Sequence, residues 1–142
     1  MNYEELFRKI LDLEEPWTIK EIKFDRQERR VDIFIDFPNG SRFPCPVCVV
    51  FYGAYDTQER IWGHINIFQY QTYLHAREPR MECYEHRKKT DDLPGARNGS
   101  GFSLQFEAMI VEMGREMAVS AVAKIVEIKE DSVWRILKHY VD

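Results

Sequence analysis

The chain is short of several things that would place it in a familiar class. Only three of its 142 residues are cysteine, too few for the disulfide framework of a small secreted domain. Glycine and proline are sparse, at 7 and 6 residues, so the composition is neither fibrous nor low-complexity. Long apolar runs are missing. The longest stretch without Asp, Glu, Lys or Arg is 61–76, and it contains His64, Asn66, Gln69, Gln71, Thr72 and His75. A spanning helix needs about 20 mostly apolar residues, so a membrane helix is not expected. The N-terminus, Met1-Asn2-Tyr3-Glu4-Glu5, has no basic region leading into an apolar one. No signal peptide is read there, and a cytoplasmic location is the expectation. An excess of positive charge is also missing: 20 Lys and Arg face 24 Asp and Glu, a net charge of −4. Compact nucleic-acid-binding domains are usually basic, so this balance weighs against such a function.

The charge is unevenly spread. Residues 1–44 carry 8 positive and 10 negative side chains, residues 45–90 carry 6 and 5, and residues 91–142 carry 6 and 9. The one dense basic run is Arg87-Lys88-Lys89, with Arg77 and Arg80 upstream. Screening at physiological salt acts over about 8 Å, so a local patch can hold phosphate on an acidic protein.

Local patterns predict an α+β chain. Leu6, Ile10 and Leu13 recur at helical spacing over residues 3–13, before Pro16. A β-hairpin follows. Its first strand runs from Trp17 to Phe24 and Asp25 to Arg30 form a polar turn. In its second, Val31, Ile33, Ile35 and Phe37 alternate with Asp32, Phe34 and Asp36. Asp32 and Asp36 are expected to face solvent. Residues 41–90 have Cys at both ends and a β-prone middle, with Ile61 to Leu74 as the best candidate for one or two strands. Residues 1–90 are therefore read as an α/β segment, 91–101 as a Gly- and Pro-containing linker, and 102–142 as a helical unit. In the last, Phe102, Phe106, Met109, Ile110, Met113 and Met117 form one stripe, capped by Ser103 or Ser100.

Cys45-Pro-Val-Cys48 and Cys83-Tyr-Glu-His86 form a Cys-x2-Cys, Cys-x2-His pattern with 34 residues between the pairs. Two residues between ligands let one tight turn aim both side chains at a single ion. Two such turns supply the four thiolate and imidazole donors of a closed structural zinc site. One Zn²⁺ held by Cys45, Cys48, Cys83 and His86 is the expectation. A redox pair of Cys45 and Cys48 is the alternative, although such pairs usually open a helix. His64, beside Trp62, reads as a packed or hydrogen-bonded histidine.

Residues 119–138 fit a helix-turn-helix. Ala123 is the small residue at the crossing, Val122 and Val126 flank it, Ile128 lies in the turn, and Val133 and Ile136 face inward from the second helix. Ser120 is expected to cap the first helix. Lys129, Glu130, Asp131, Trp134, Arg135 and Lys138 then lie outward, and with Ser132 they make up the predicted DNA-reading helix. Glu127 occupies the turn position where Gly is usual.

The order of these parts resembles the N-terminal region of the ISL-three family of bacterial insertion-sequence transposases. The resemblance rests on Asp36-Phe37-Pro38, Phe43-Pro44-Cys45-Pro46-Val47-Cys48, Asp56, Arg60, Trp62, His64, Leu74, Pro79-Arg80, Cys83, His86, Ala96-Arg97, Phe102 to Glu107, and Ser120 to Ala123. Departures from the family pattern are Val49, Arg87 and Glu127, each where Gly is expected, Gly63 where a basic residue is common, and Gly95 in place of an aromatic. The resemblance implies a zinc-ribbon-like segment followed by a helix-turn-helix that binds double-stranded DNA at terminal inverted repeats. It implies phosphate contacts from Arg87, Lys88 and Lys89, base contacts from the 129–138 helix, and no catalysis, because the family's acidic-triad domain would follow residue 142. A homodimer and that catalytic domain are the protein partners it allows. A zinc-ribbon interaction module that does not bind DNA is the rival reading, favoured by the acidic charge.

Overall fold

The computed structural model describes residues 2–85, 87–90 and 100–141. Helix α1 (Tyr3–Ile10) begins at Asn2, whose side-chain oxygen accepts the Glu5 N–H. Glu4 and Glu5 in its first turn and Arg8 and Lys9 in its last complement the helix dipole. The expected helix over 3–13 stops early, because Asp12 takes a left-handed conformation (φ 53°). Leu11 and Leu13 leave the helix to enter the core. Of the predicted stripe only Leu13 is buried, while Leu6 and Ile10 on the helix are exposed, so the spacing overstated both burial and helix extent.

Strands β1 (Thr18–Asp25) and β2 (Arg30–Asp36) form the expected antiparallel hairpin. β3 (Arg42–Pro44) and β4 (Phe51–Gly53) make a separate small hairpin. β5 (Asp56–Ile67) and β6 (Tyr70–Cys83) form a long antiparallel pair, wider than the predicted 61–74 stretch. Charged residues such as Glu59, Arg77 and Glu82 hid the strand ends from a reading based on apolar content. β2 runs parallel to β6, giving the order β1-β2-β6-β5, and β7 (Arg87–Thr90) pairs with the end of β6.

One face of this sheet is buried. Val31, Ile33 and Ile35 of β2 meet Trp62, Leu74, Ala76 and Met81, and are covered by Leu11, Leu13, Trp17 and Phe43. The other face carries Phe34 stacked on His75, with ring centroids 4.3 Å apart. Asp32 and Asp36 lie on that face, but the expectation that they simply face solvent is corrected. Both are half-buried. Asp32 accepts from Arg30 and lies 2.6 Å from His75 Nε2, and Asp36 accepts from Arg77 at 2.7 Å. Burial alone would raise the Asp32 pKa, but the hydrogen bonds from Arg30 and His75 outweigh it and hold the carboxyl below its usual range.

Helices α2 (Leu104–Glu116), α3 (Val119–Val126) and α4 (Glu130–Val141) enclose a second core of Phe106, Ile110, Val122, Ala123, Val126, Val133 and Ile136. The predicted stripe from Phe102 to Met117 lines it. Ser103 caps α2, accepting the Phe106 N–H. Ser120 does not cap α3: the helix starts at Val119, its cap residue is Ala118, and no side chain bonds there. Among the described residues no helix is long and apolar enough to cross a membrane.

The two cores join at one edge. The Gly63 N–H donates to the Gly101 carbonyl at 2.7 Å and the Ser103 N–H donates to the Gly63 carbonyl at 2.8 Å, so residues 101–103 lie against β5 as a further strand segment. A Cβ at Gly63 would sit 2.8 Å from the Phe102 ring. This is the reason for glycine where a basic residue was expected. Of the 91–101 segment, Ser100 and Gly101 are described and the remainder lies outside the described residues.

Candidate metal centre and nucleic-acid interface

Cys45 follows β3 directly. Its N–H donates to the Val50 carbonyl and its carbonyl accepts from Val49 N–H, closing a tight turn over 45–50. Val49 in that turn is left-handed, at φ 63°. It stands where the sequence comparison expected glycine. Arg87, beside His86, and Glu127, in the helical turn, are left-handed as well, at φ 59° and 60°. All three missing glycines thus fall where the backbone demands glycine's geometry, and the chain adopts that geometry without them.

The turn aims Cys45 and Cys48 at Cys83, the last residue of β6. The three sulfurs lie within 4.8 Å of one another, and the Cys48–Cys83 separation is 3.5 Å. Sulfurs on a tetrahedral zinc ion, each about 2.3 Å from the metal, stand about 3.8 Å apart, so the spacing fits the ion. The proposed fourth ligand, His86, lies outside the described residues. The electrostatics fit as well. The Val50 N–H favours the Cys48 thiolate, but burial and the neighbouring Cys83 and Cys45 thiols outweigh it, so the Cys48 pKa is raised. Three sulfurs this close cannot all ionise unless a cation sits between them. A redox pair fits less well, since Cys45 and Cys48 occupy a hairpin tip and share it with a third thiol. Bound there, zinc would tie the β3–β4 hairpin to the end of β6.

In the helical unit α3, the turn and α4 have the predicted arrangement. Ile128 N–H donates to the Ala123 carbonyl at 3.1 Å, and Ala123 is buried where α3 meets α4. Gln71 Nε2 of β6 donates to Glu127 Oε2 at 2.9 Å, so the turn is also tethered to the sheet. Val122, Val126, Val133 and Ile136 point inward and Ile128 is half-buried. Lys129, Glu130, Asp131, Trp134, Arg135 and Lys138 are exposed and Ser132 is half-buried. The six exposed side chains make no hydrogen bond or ion pair with the described residues, and Trp134 is 50% exposed.

These observations meet the comparisons with known proteins. Residues 41–86 match the family model described as the zinc-finger of transposase IS204/IS1001/IS1096/IS1165. Residues 92–141 match the one described as the helix-turn-helix domain of transposase family ISL3. The chain carries the zinc-finger and helix-turn-helix domains of an ISL3 transposase. Searches of the curated proteins and of the solved structures gave no match. The ISL3 zinc-finger match contains all four predicted zinc ligands, and the helix-turn-helix match contains α2, α3 and α4. The two domains imply the DNA-binding N-terminal region of a transposase.

The basic run is less concentrated than its sequence suggested. Arg87 is exposed on β7, while Arg80 and Arg77 bond to Asp56 and Asp36. The side chains of Lys88 and Lys89 lie outside the described set. One buried polar group of the helical unit went unread in the sequence. Glu107 of α2 is fully buried, accepting from Ser100 Oγ at 2.9 Å and from Tyr140 Oη at 2.8 Å. Its position four residues after Ser103 and three before Ile110, on the buried stripe, was the available signal. Ser103 Oγ accepts from Phe106 N–H and shares a second hydrogen bond with His64 Nδ1, 2.6 Å away. The expected hydrogen-bonded role of His64 is what the structure shows. Burial lowers its pKa to about 4, so the ring is neutral at pH 7.

Proposed function

We propose that this chain recognises the terminal inverted repeats of its own insertion element as double-stranded DNA in the bacterial cytoplasm. The observation that supports the reading most is the outward face of α4. With Lys129 just before it, the helix presents Asp131, Trp134, Arg135 and Lys138 to solvent beside half-buried Ser132, and the charged groups have no partner among the described residues, on the second helix of a helix-turn-helix. Second helices of such motifs enter the major groove with their N-terminal part at the base edges. Arg135 then pairs with guanine or phosphate, Lys129 and Lys138 flank it, and Arg87, Lys88 and Lys89 add backbone contacts. One zinc ion on Cys45, Cys48, Cys83 and His86 stabilises the segment that carries the helices. The chain acts with a second copy or with the transposase's catalytic domain, and by itself does not cut DNA.

The test is a selection from random duplex DNA with zinc-loaded protein, repeated after chelation. An enriched motif that weakens on Arg135→Ala, with affinity falling steeply as salt rises, is expected. No enrichment in either sample overturns the reading. The second reading, a protein-interaction module, is favoured by the knuckle itself. Residues 43–55 contain no charged residue, and Val47, Val49, Val50 and Phe51 are all at least half exposed. That reading predicts retention of a partner protein and salt-insensitive behaviour toward DNA.

A further inference from the structure

The metal centre carries a group outside its ligand set. Tyr52 lies on β4 of the small hairpin, and its Oη stands 3.6 Å from Cys83 Sγ at the end of β6. A zinc-bound Cys83 is a thiolate and has no proton to offer, so across this contact the phenol is the donor. Cys83 is also buried, which makes a compensating donor matter more than at a solvated sulfur.

We infer that Tyr52 is a hydrogen-bond donor to the metal-bound Cys83 thiolate, a positioning residue that retains the ion and fixes β4 against the end of β6. The inference rests on the zinc reading given above. Three thiolates and one imidazole around Zn²⁺ leave a net charge of −1 on a mostly buried cluster. A phenol donor draws part of that charge off the sulfur. Groups that hold ligands from outside the coordination sphere typically change metal affinity 10- to 100-fold when removed. Neither the Cys-x2-Cys spacing nor the alternation of β4 indicates this role, since it depends on β4 lying beside the end of β6.

The experiment uses the full chain as wild type, Tyr52→Phe and Tyr73→Phe. The last removes a phenol on β6 whose hydroxyl bonds Gln71, away from the thiols. Each protein is loaded with zinc, and transfer of the ion to a chromophoric chelator is timed. Each is also loaded with Co²⁺ and its thiolate-to-metal charge-transfer band recorded. The expected result is zinc loss roughly 10-fold faster from Tyr52→Phe, with its band moved to lower energy and Tyr73→Phe unchanged in both. The band readout is needed because a merely loosened hairpin would speed loss without changing the sulfur's electronics. Equal retention and an unmoved band in Tyr52→Phe overturn the inference alone. Faster loss with an unmoved band also overturns it, by assigning Tyr52 to packing. A wild-type chain that takes up neither metal overturns the zinc reading together with the inference.

Discussion

The three residues that stand where the family pattern has glycine, Val49, Arg87 and Glu127, all sit in left-handed backbone, and they differ in cost. A left-handed conformation costs an L-residue about 1–2 kcal/mol, and a β-branched side chain suffers most. Val49 (φ 63°) is therefore the worst placed and Glu127 (φ 60°) is milder. Glycine gives back part of that gain through the entropy of the unfolded chain. Val49→Gly and Glu127→Gly are each expected to raise stability by about 0.5–1 kcal/mol, read as the midpoint of urea unfolding of the zinc-loaded chain. Glu127→Gly gives the smaller gain because it also removes the bond from Gln71.

His64 supplies the pH dependence at this scale. The unfolded imidazole takes its proton near pH 6.5, whereas the buried ring does so only near pH 4. Between those values the unfolded state binds more protons, so stability rises with pH. The contribution is complete above pH 6.5 and is lost as pH falls toward 4. The loss is about 3 kcal/mol for a shift of this size. Chemical denaturation at pH 7, 6 and 5 checks it, with His64→Gln expected to flatten that part of the curve. An unchanged slope would place the proton elsewhere.

Among the elements, the join between β5 and residues 101–103 is a close one. An added methyl at Gly63 meets the Phe102 ring at 2.8 Å. Overpacking of this kind costs about 1–3 kcal/mol. Gly63→Ala is expected to lower the unfolding midpoint accordingly, and pairing it with Phe102→Leu is expected to restore most of the loss. The same join shows what sequence could and could not convey. The β1–β2 hairpin, the stripe of α2 and the inward positions of α3 and α4 were all legible, because each depends on residues close in sequence with a clear period. The convergence of Cys45, Cys48 and Cys83 was legible because they have spacing that few uses other than metal binding require. The 3–13 helix was overextended because Leu13 serves the core from outside it. Ser120 was misread because a good capping residue says nothing about where the chain turns. The contacts of Gly63, Tyr52 and Glu107 depend on partners dozens of residues away, which local pattern cannot reach.

For the whole molecule, the metal and the fold have comparable weight. Structural zinc contributes roughly 10–16 kcal/mol of apparent binding energy in small domains, against a total stability of about 5–15 kcal/mol. Chelation is expected to abolish the near-ultraviolet circular dichroism arising from Trp17, Phe37 and Phe43, which pack together beside Cys45. The helical signal of the second core should fall much less. A metal-free sample that keeps its near-ultraviolet spectrum would remove zinc from the account of stability.

The parallel seam between β2 and β6 has a bearing on how the chain finds its shape. β1–β2 and β5–β6 are hairpins whose partners lie close in sequence, so both can zip locally. The seam between them pairs Arg30 with Gln71 and Ile35 with Ala76, and cannot form until a long excursion has been closed. Cys45 and Cys48 sit inside that excursion and Cys83 just beyond it. An ion captured by all three shortens the excursion before any strand has met across the seam. The expected consequence is kinetic: a chain supplied with zinc during synthesis assembles its sheet sooner and spends less time with unpaired edges exposed to its neighbours.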